Sequence, residues 1–213
     1  MSVTLGYKTP MDRPKAVYEW AATIEEGEMR NQVFLKIAKM IAVQDPQNAL
    51  SWALQFPEGP GREQALHYAV FQWATRDLGA ATNWTAAIPD THLRTSGEVA
   101  IARSWSVQEA EGATTWAAGS PDPLGRTAAL KTTLLKWAKV NPAAAAQWIG
   151  QQGVSPVSAE IYRSVSGGLA TAPPAVREAW LNSTSNAEWR STGRQIFEVT
   201  PADPHRAAVP PKG

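Results

Sequence analysis

The sequence of 213 residues predicts an all-α fold, a right-handed α-solenoid of about five to six antiparallel helical hairpins with a 32-residue period. Three observations predict it. Trp20, Trp52, Trp84, Trp116, Trp148 and Trp180 recur every 32 residues, and Trp73, Trp105 and Trp137 keep the same interval. The residues leading up to the second set carry apolar side chains at helical spacing, and between the sets stand Pro and Gly clusters that stop helices. A period of this length signals units that bury their apolar faces against their neighbours. The repeat domain is expected over residues 1–198, with units starting near 20, 52, 84, 116, 148 and 180 and a Pro-rich disordered tail over 199–213.

Numbering each leading Trp as column 1 justifies the elements in turn. The first short helix is predicted over 14–23, opened by Arg13-Pro14. Later short helices start at columns 26 and 27, which read Asp45-Pro46, Asp77-Leu78, Glu109-Ala110, Asn141-Pro142 and Pro173-Pro174. Asp or Asn supplies an oxygen for an orphan backbone N–H there, and Pro fits the first turn without losing a hydrogen bond. The example over 46–56 is stopped by Pro57 and Gly59-Pro60-Gly61, and its counterparts by Pro89, by Gly119 with Pro121, and by Gly150 with Gly153.

A longer helix follows each short one. That over 62–75 places Ala65, Leu66, Ala69, Val70, Trp73 and Ala74 on one apolar face. Val33, Phe34, Ile37, Ala38 and Ile41 repeat the pattern one unit earlier, and Ala129, Leu130, Leu134 and Trp137 two units later. Column 23 is small throughout (Ala42, Ala74, Ser106, Ala138, Ala170), as is column 30 (Ala49, Ala81, Ala113, Ala145). Large indoles facing small alanines let backbones approach closely, so the nine periodic tryptophans are expected in the interior. Trp189 stands outside both columns and either caps the final hairpin or protrudes. Gly167-Gly168 reads as a flaw in the fifth long helix.

The octets Asp45 to Trp52 and Asn141 to Trp148 resemble the junction between tetratricopeptide repeats, where a closing Pro precedes an Ala and then the next unit's Trp. The resemblance covers only those octets. It implies a tetratricopeptide-like stack that binds peptides and proteins on a concave face. That family has a period of about 34 residues, whereas Pro57 and Pro89 break this chain soon after the Trp and Trp73, Trp105 and Trp137 have no counterpart there. A HEAT-like stack also accommodates the pattern.

Twenty basic and nineteen acidic residues give a net charge of +1, without the basic excess that phosphate-backbone binding needs, so nucleic acid is not the expected partner. With no cysteine there are no disulfides or thiolate sites. The N-terminal segment has no signal-peptide pattern, and no membrane span is expected; a cytoplasmic location is the default, and an exported chain whose signal peptide has been removed fits equally. His67, His92 and His205 fall on an outer helical face, in a loop and in the tail. Glu25-Glu26-Gly27-Glu28 reads as a solvated turn. No nucleophile, metal or cofactor motif is present, so no enzyme, catalytic residue, metal or cofactor is expected.

Three columns attract a functional reading. Column 11 holds Arg30, Arg62, Arg94, Arg126 and Arg190, interrupted by Ser158. A cation at a helix start opposes the dipole and calls for a partner. Pairing with the column 26 acid, binding to the last carbonyls of the short helix, or stacking on a Trp are the ordinary explanations; an arginine ladder gripping phosphates or acidic peptides is the functional one. Column 32 (Glu19, Ser51, Asn83, Thr115, Gln147) and column 4 (Thr23, Gln55, Ala87, Gly119, Gln151) form a variable, mostly polar stripe on one side of the short helices. Ser51, Gln55, Asn83, Thr115, Gln147 and Gln151 are the candidates for binding an extended peptide, against the reading of an ordinary wet face. A second variable surface, with Tyr68 and Phe71 as exposed anchors, runs along the long helices. The function expected is a noncatalytic scaffold for a protein or peptide; a self-assembling spacer array is the alternative, and an enzyme on a helical scaffold the lesser one.

Overall fold

The computed structural model describes residues 19–21, 23–25 and 27–199, whose regular elements are helices, with no strand among them. The chain divides into two compact units at the Ser104–Trp105 bond. Most of the predicted helix over 14–23 and all of the tail beyond residue 199 lie outside the described residues.

In the first unit, residues 19–21 are helical and are followed by α1 (Glu28–Gln44), α2 (Pro46–Ala53), α3 (Pro60–Arg76), α4 (Leu78–Ala86) and α5 (Thr91–Trp105). Helix α1 packs on α2 and α3, and α3 also packs on α2 and α4. Ala42 and Ala49 of the small columns are fully buried, as are Ala38, Ala53, Ala65 and Ala69. Phe34, Trp52 and Phe56 fill the space beside them, with Phe34 stacked on Phe56 at 4.1 Å and Trp52 edge-on to Phe56 at 4.5 Å.

In the second unit the helices are α6 (Ala110–Ala118), α7 (Pro123–Val140), α8 (Pro142–Gln151), α9 (Pro156–Leu169), α10 (Pro174–Ser183) and α11 (Ala187–Val199). Helix α7 packs on α6, α8 and α9, α8 on α10, and α9 and α10 on α11. Leu134, Ile149, Tyr162, Leu169 and Trp180 form the interior. Trp189 is buried and stacks on Tyr162 at 5.4 Å, so it closes the last helix pair.

A single residue joins α1 to α2, α3 to α4 and α7 to α8, and the last residue of the four-residue link from α5 to α6 has nearly the same backbone. Asp45 has φ −139° and ψ 91°, Asp77 −144° and 88°, Glu109 −147° and 88°, and Asn141 −136° and 80°. Each donates its N–H to the carbonyl four residues back, at Ile41, Trp73, Trp105 and Trp137. The predicted caps form at three of the four: Asp45, Asp77 and Asn141 accept from the N–H of Asn48, Ala80 and Ala144 at 2.9–3.1 Å. Glu109 departs because its carboxylate accepts from Trp105 Nε1 instead, at 3.2 Å. Gly153, with φ 77°, turns the chain after α8 in a conformation that favours glycine.

Burial of the periodic tryptophans is uneven, which corrects the expectation of nine interior rings. Trp52, Trp73, Trp137 and Trp180 are buried, whereas Trp84, Trp105, Trp116 and Trp148 are half-buried and Trp20 is 58% exposed. Trp73 meets Trp84, and Trp105 meets Trp116, both at 6.1 Å and in tilted pairs. Trp84 and Trp116 therefore each lean on an indole eleven positions earlier. The Gly167-Gly168 flaw is also corrected, because α9 runs through both glycines to Leu169. A Cβ on Gly168 would stand 2.6 Å from Leu135 Cδ1, so this glycine permits the approach of α9 to α7.

Candidate functional site

Cavities occur at matching columns in the two units. In the first, a cavity of about 410 Å³ is walled by Leu54, Arg62 and Leu66 on one side and Trp84, Ile88, Leu93 and Gly97 on the other, with Val70, Ala87, Pro89 and Asp90 completing it. In the second, a cavity of about 180 Å³ uses Ala118, Arg126 and Leu130, then Trp148, Gln152, Val157 and Ile161, each of these seven 64 residues further along than its counterpart. Half-burial of Trp84 and Trp148 follows from this, since both rings form cavity walls.

The same columns are filled near either end of the described chain. Phe34 and Phe56 occupy the positions of Leu66 and Ile88, and their parallel rings stack. Tyr162, Thr184 and Trp189 occupy the positions of Leu130, Gln152 and Val157, and there Tyr162 lies between the rings of Trp180, at 5.1 Å, and Trp189. Thr184 Oγ1 donates to the Trp180 carbonyl at 2.8 Å and pairs with the Tyr162 hydroxyl at 3.3 Å. Burial raises the Tyr162 phenol above its ordinary range, against the lowering effect of its hydrogen bonds.

Chemically, the larger cavity is apolar apart from Arg62 and Asp90. Asp90 is committed to its helix, accepting from Leu93 N–H at 2.8 Å. Arg62 is less satisfied. Its Nε is buried without a hydrogen-bond partner, and its Nη1 lies 3.8 Å from the carboxylate of Glu58, which is 95% exposed. A pair so open to water holds the guanidinium weakly.

The column 11 arginines thus divide. Arg94 donates to the carbonyls of Ile88 and Pro89 at 2.8 and 3.4 Å, and Arg190 donates twice to the carbonyl of Thr184, at 2.7 and 3.1 Å. These two bind the carbonyls at the end of the preceding short segment, one of the ordinary roles considered for the column. Arg62 and Arg126 line the cavities, and Arg30 is half-buried on α1. Ser158 interrupts the column because it completes the capping box with Ser155 that starts α9.

The six candidate peptide-binding residues are all exposed: Ser51, Gln55 and Asn83 in the first unit, Thr115, Gln147 and Gln151 in the second. Ser51, Gln55 and Thr115 each turn a donor back to a carbonyl of their own helix, at 3.2 Å. Ala87, on the same stripe as Asn83, also borders the larger cavity.

The second variable surface is corrected in part. His67 is not on an outer face; its Nδ1 lies 3.2 Å from the Ser96 carbonyl and its Nε2 3.4 Å from Arg103. Burial, with a further contribution from Arg103, lowers its pKa below 6.5 in spite of the Ser96 bond. Tyr68 and Phe71 are half-buried, and Lys39 Nζ sits 5.4 Å from the Tyr68 ring centre. No group of three His, Asp or Glu residues suited to a metal ion is found among the described residues, and no helix among them is long and apolar enough to cross a membrane.

Sequence reading missed the cavities. The signal was present in two aligned columns, where Phe34 and Phe56 give way to the smaller pairs Leu66 with Ile88 and Leu130 with Gln152 before Tyr162 restores bulk. No protein-family model matches the chain, and no curated protein or solved structure matches it.

Proposed function

We propose that the protein is a noncatalytic α-solenoid of 32-residue helical hairpins that binds a segment of a partner protein. The observation that carries this reading is the larger cavity: about 410 Å³, apolar, provided with one weakly held guanidinium, and bordered by the stripe that exposes Asn83 and Gln55. A volume in this range, with few polar groups in an apolar wall, is typical of ligand sites. The exposed amides supply donors and acceptors for an extended backbone while the cavity receives a side chain. Support for the solenoid comes from the residues that precede four short helices, Asp45, Asp77, Glu109 and Asn141, whose backbone geometry repeats with the sequence period.

The test is selection of random displayed peptides on the full chain, with affinities then measured by fluorescence anisotropy. Selected peptides should bind wild type and lose about tenfold or more in affinity to Asn83→Ala combined with Gln55→Ala, with no change in melting temperature. Failure to select any peptide above background, or equal binding by the variant, refutes the reading.

A further inference from the structure

We infer that the larger cavity is an anchor pocket for an aromatic side chain of the bound segment; this rests on the peptide-binding reading above. The protein itself shows what its columns accommodate. Where Leu66 and Ile88 stand in the cavity, the same columns 32 residues earlier hold Phe34 and Phe56, two rings 4.1 Å apart with 25° between their planes. Near the other end of the described residues, Tyr162 and Trp189 stand in the columns of Leu66 and Leu93, 5.4 Å apart at 24°. Replacing two rings by two aliphatic side chains removes a ring's worth of filling, and the space between the helices remains. It is ample for one, since an apolar cavity of about 150 Å³ accepts benzene and this one is about 410 Å³.

Two wall groups favour a ring over an aliphatic chain. Trp84 is half-buried with its indole in the wall, so an incoming ring gains an aromatic partner. Arg62 presents a planar guanidinium that stacks on a ring face. Its unpartnered Nε also seeks an acceptor, and Arg94 and Arg190 show which kind the column takes: both donate to a backbone carbonyl. The carbonyl of the ligand's aromatic residue fills that role.

The probes are N-acetyl amides of phenylalanine, tryptophan, leucine and alanine, titrated into the ¹⁵N-labelled full chain while the Trp84 indole N–H resonance is followed. Phenylalanine and tryptophan amides should shift it and bind about fivefold more tightly than leucine amide, the ratio expected from one aromatic contact. Leu66→Phe with Ile88→Phe, which copies Phe34 and Phe56 into the cavity, should abolish the shift; Ile88→Phe alone should weaken it. Aromatic peptides from the selection should lose affinity to the same variants. Leucine amide binding as well as phenylalanine amide overturns the aromatic anchor while leaving peptide binding intact, as does a selected peptide that binds the filled variant undiminished. Absence of any peptide ligand in the selection instead defeats the underlying reading.

Discussion

Trp180 and Trp20 hold the same column of the repeat, yet their replacement by alanine should have very different consequences. Trp180 has no solvent exposure, stacks on Tyr162 at 5.1 Å with 15° between planes, and donates from Nε1 to Ser166 Oγ at 3.0 Å. Trp180→Ala removes the ring, leaves a cavity and takes the donor from a buried hydroxyl, which together cost about 4 kcal/mol. Trp20 keeps 58% of its surface in water, so Trp20→Ala costs about 1 kcal/mol or less. With a urea dependence of about 2 kcal/mol per M, the unfolding midpoint drops by about 2 M in the first case and by about 0.5 M or less in the second. The assay is urea denaturation followed by far-ultraviolet circular dichroism, which does not depend on the indoles being removed. Trp180→Phe should fall between, keeping a ring beside Tyr162 and losing the bond to Ser166. Equal losses for Trp20→Ala and Trp180→Ala would refute the argument that burial, rather than membership of the periodic set, decides what an indole contributes.

Capping gives a second test: Asp77→Ala should lower stability by about 1 kcal/mol and Asp77→Asn by much less, read as urea midpoints, because only the former removes the acceptor for Ala80 N–H. The adjacent glycines of α9 should respond oppositely. Gly167→Ala meets nothing within 4 Å and should stabilise by about 0.5–1 kcal/mol, while Gly168→Ala meets Leu135 and should destabilise by about 1–3 kcal/mol, both measured by thermal melting. His67 makes stability depend on pH. Its folded pKa lies below 6.5, so the unfolded chain binds more protons between the two values. Its contribution is complete above pH 6.5 and is lost progressively as the pH falls from there through the folded value; His67→Gln should flatten that part of a urea-midpoint profile.

Helix content, the starts of the later short helices and three of their caps were legible because they depend on neighbours in the chain. An Asp followed by Pro carries both the acceptor and the permitted first turn, and Asp45 caps α2 as those residues dictate. The interior was less legible, since burial of a ring depends on what the fold brings against it from elsewhere. Trp52 and Trp84 look alike in sequence, but Phe34 and Phe56 surround one while the other faces a cavity. Column 11 shows the same limit. Five arginines share a position, yet Arg94 and Arg190 close on carbonyls and Arg62 lines a cavity. Gly168 was misread because its role lies in the absence of an atom opposite Leu135, on another helix. Of the candidate site, the polar stripe could be read from its variability, whereas the cavity beside it arises from side chains missing in two distant columns.

Joining helices through a single extended residue makes these corners stiff to changes in length though tolerant of changes in identity. Asp and Asn both serve there with nearly the same dihedrals. One inserted amino acid, by contrast, advances a helix by about 100° around its axis, turning the buried face of the next rod toward water. The loop from Leu54 to Gly59 joins rods without such continuous winding. Graft points, tags and affinity loops therefore belong in that connection rather than at the corners.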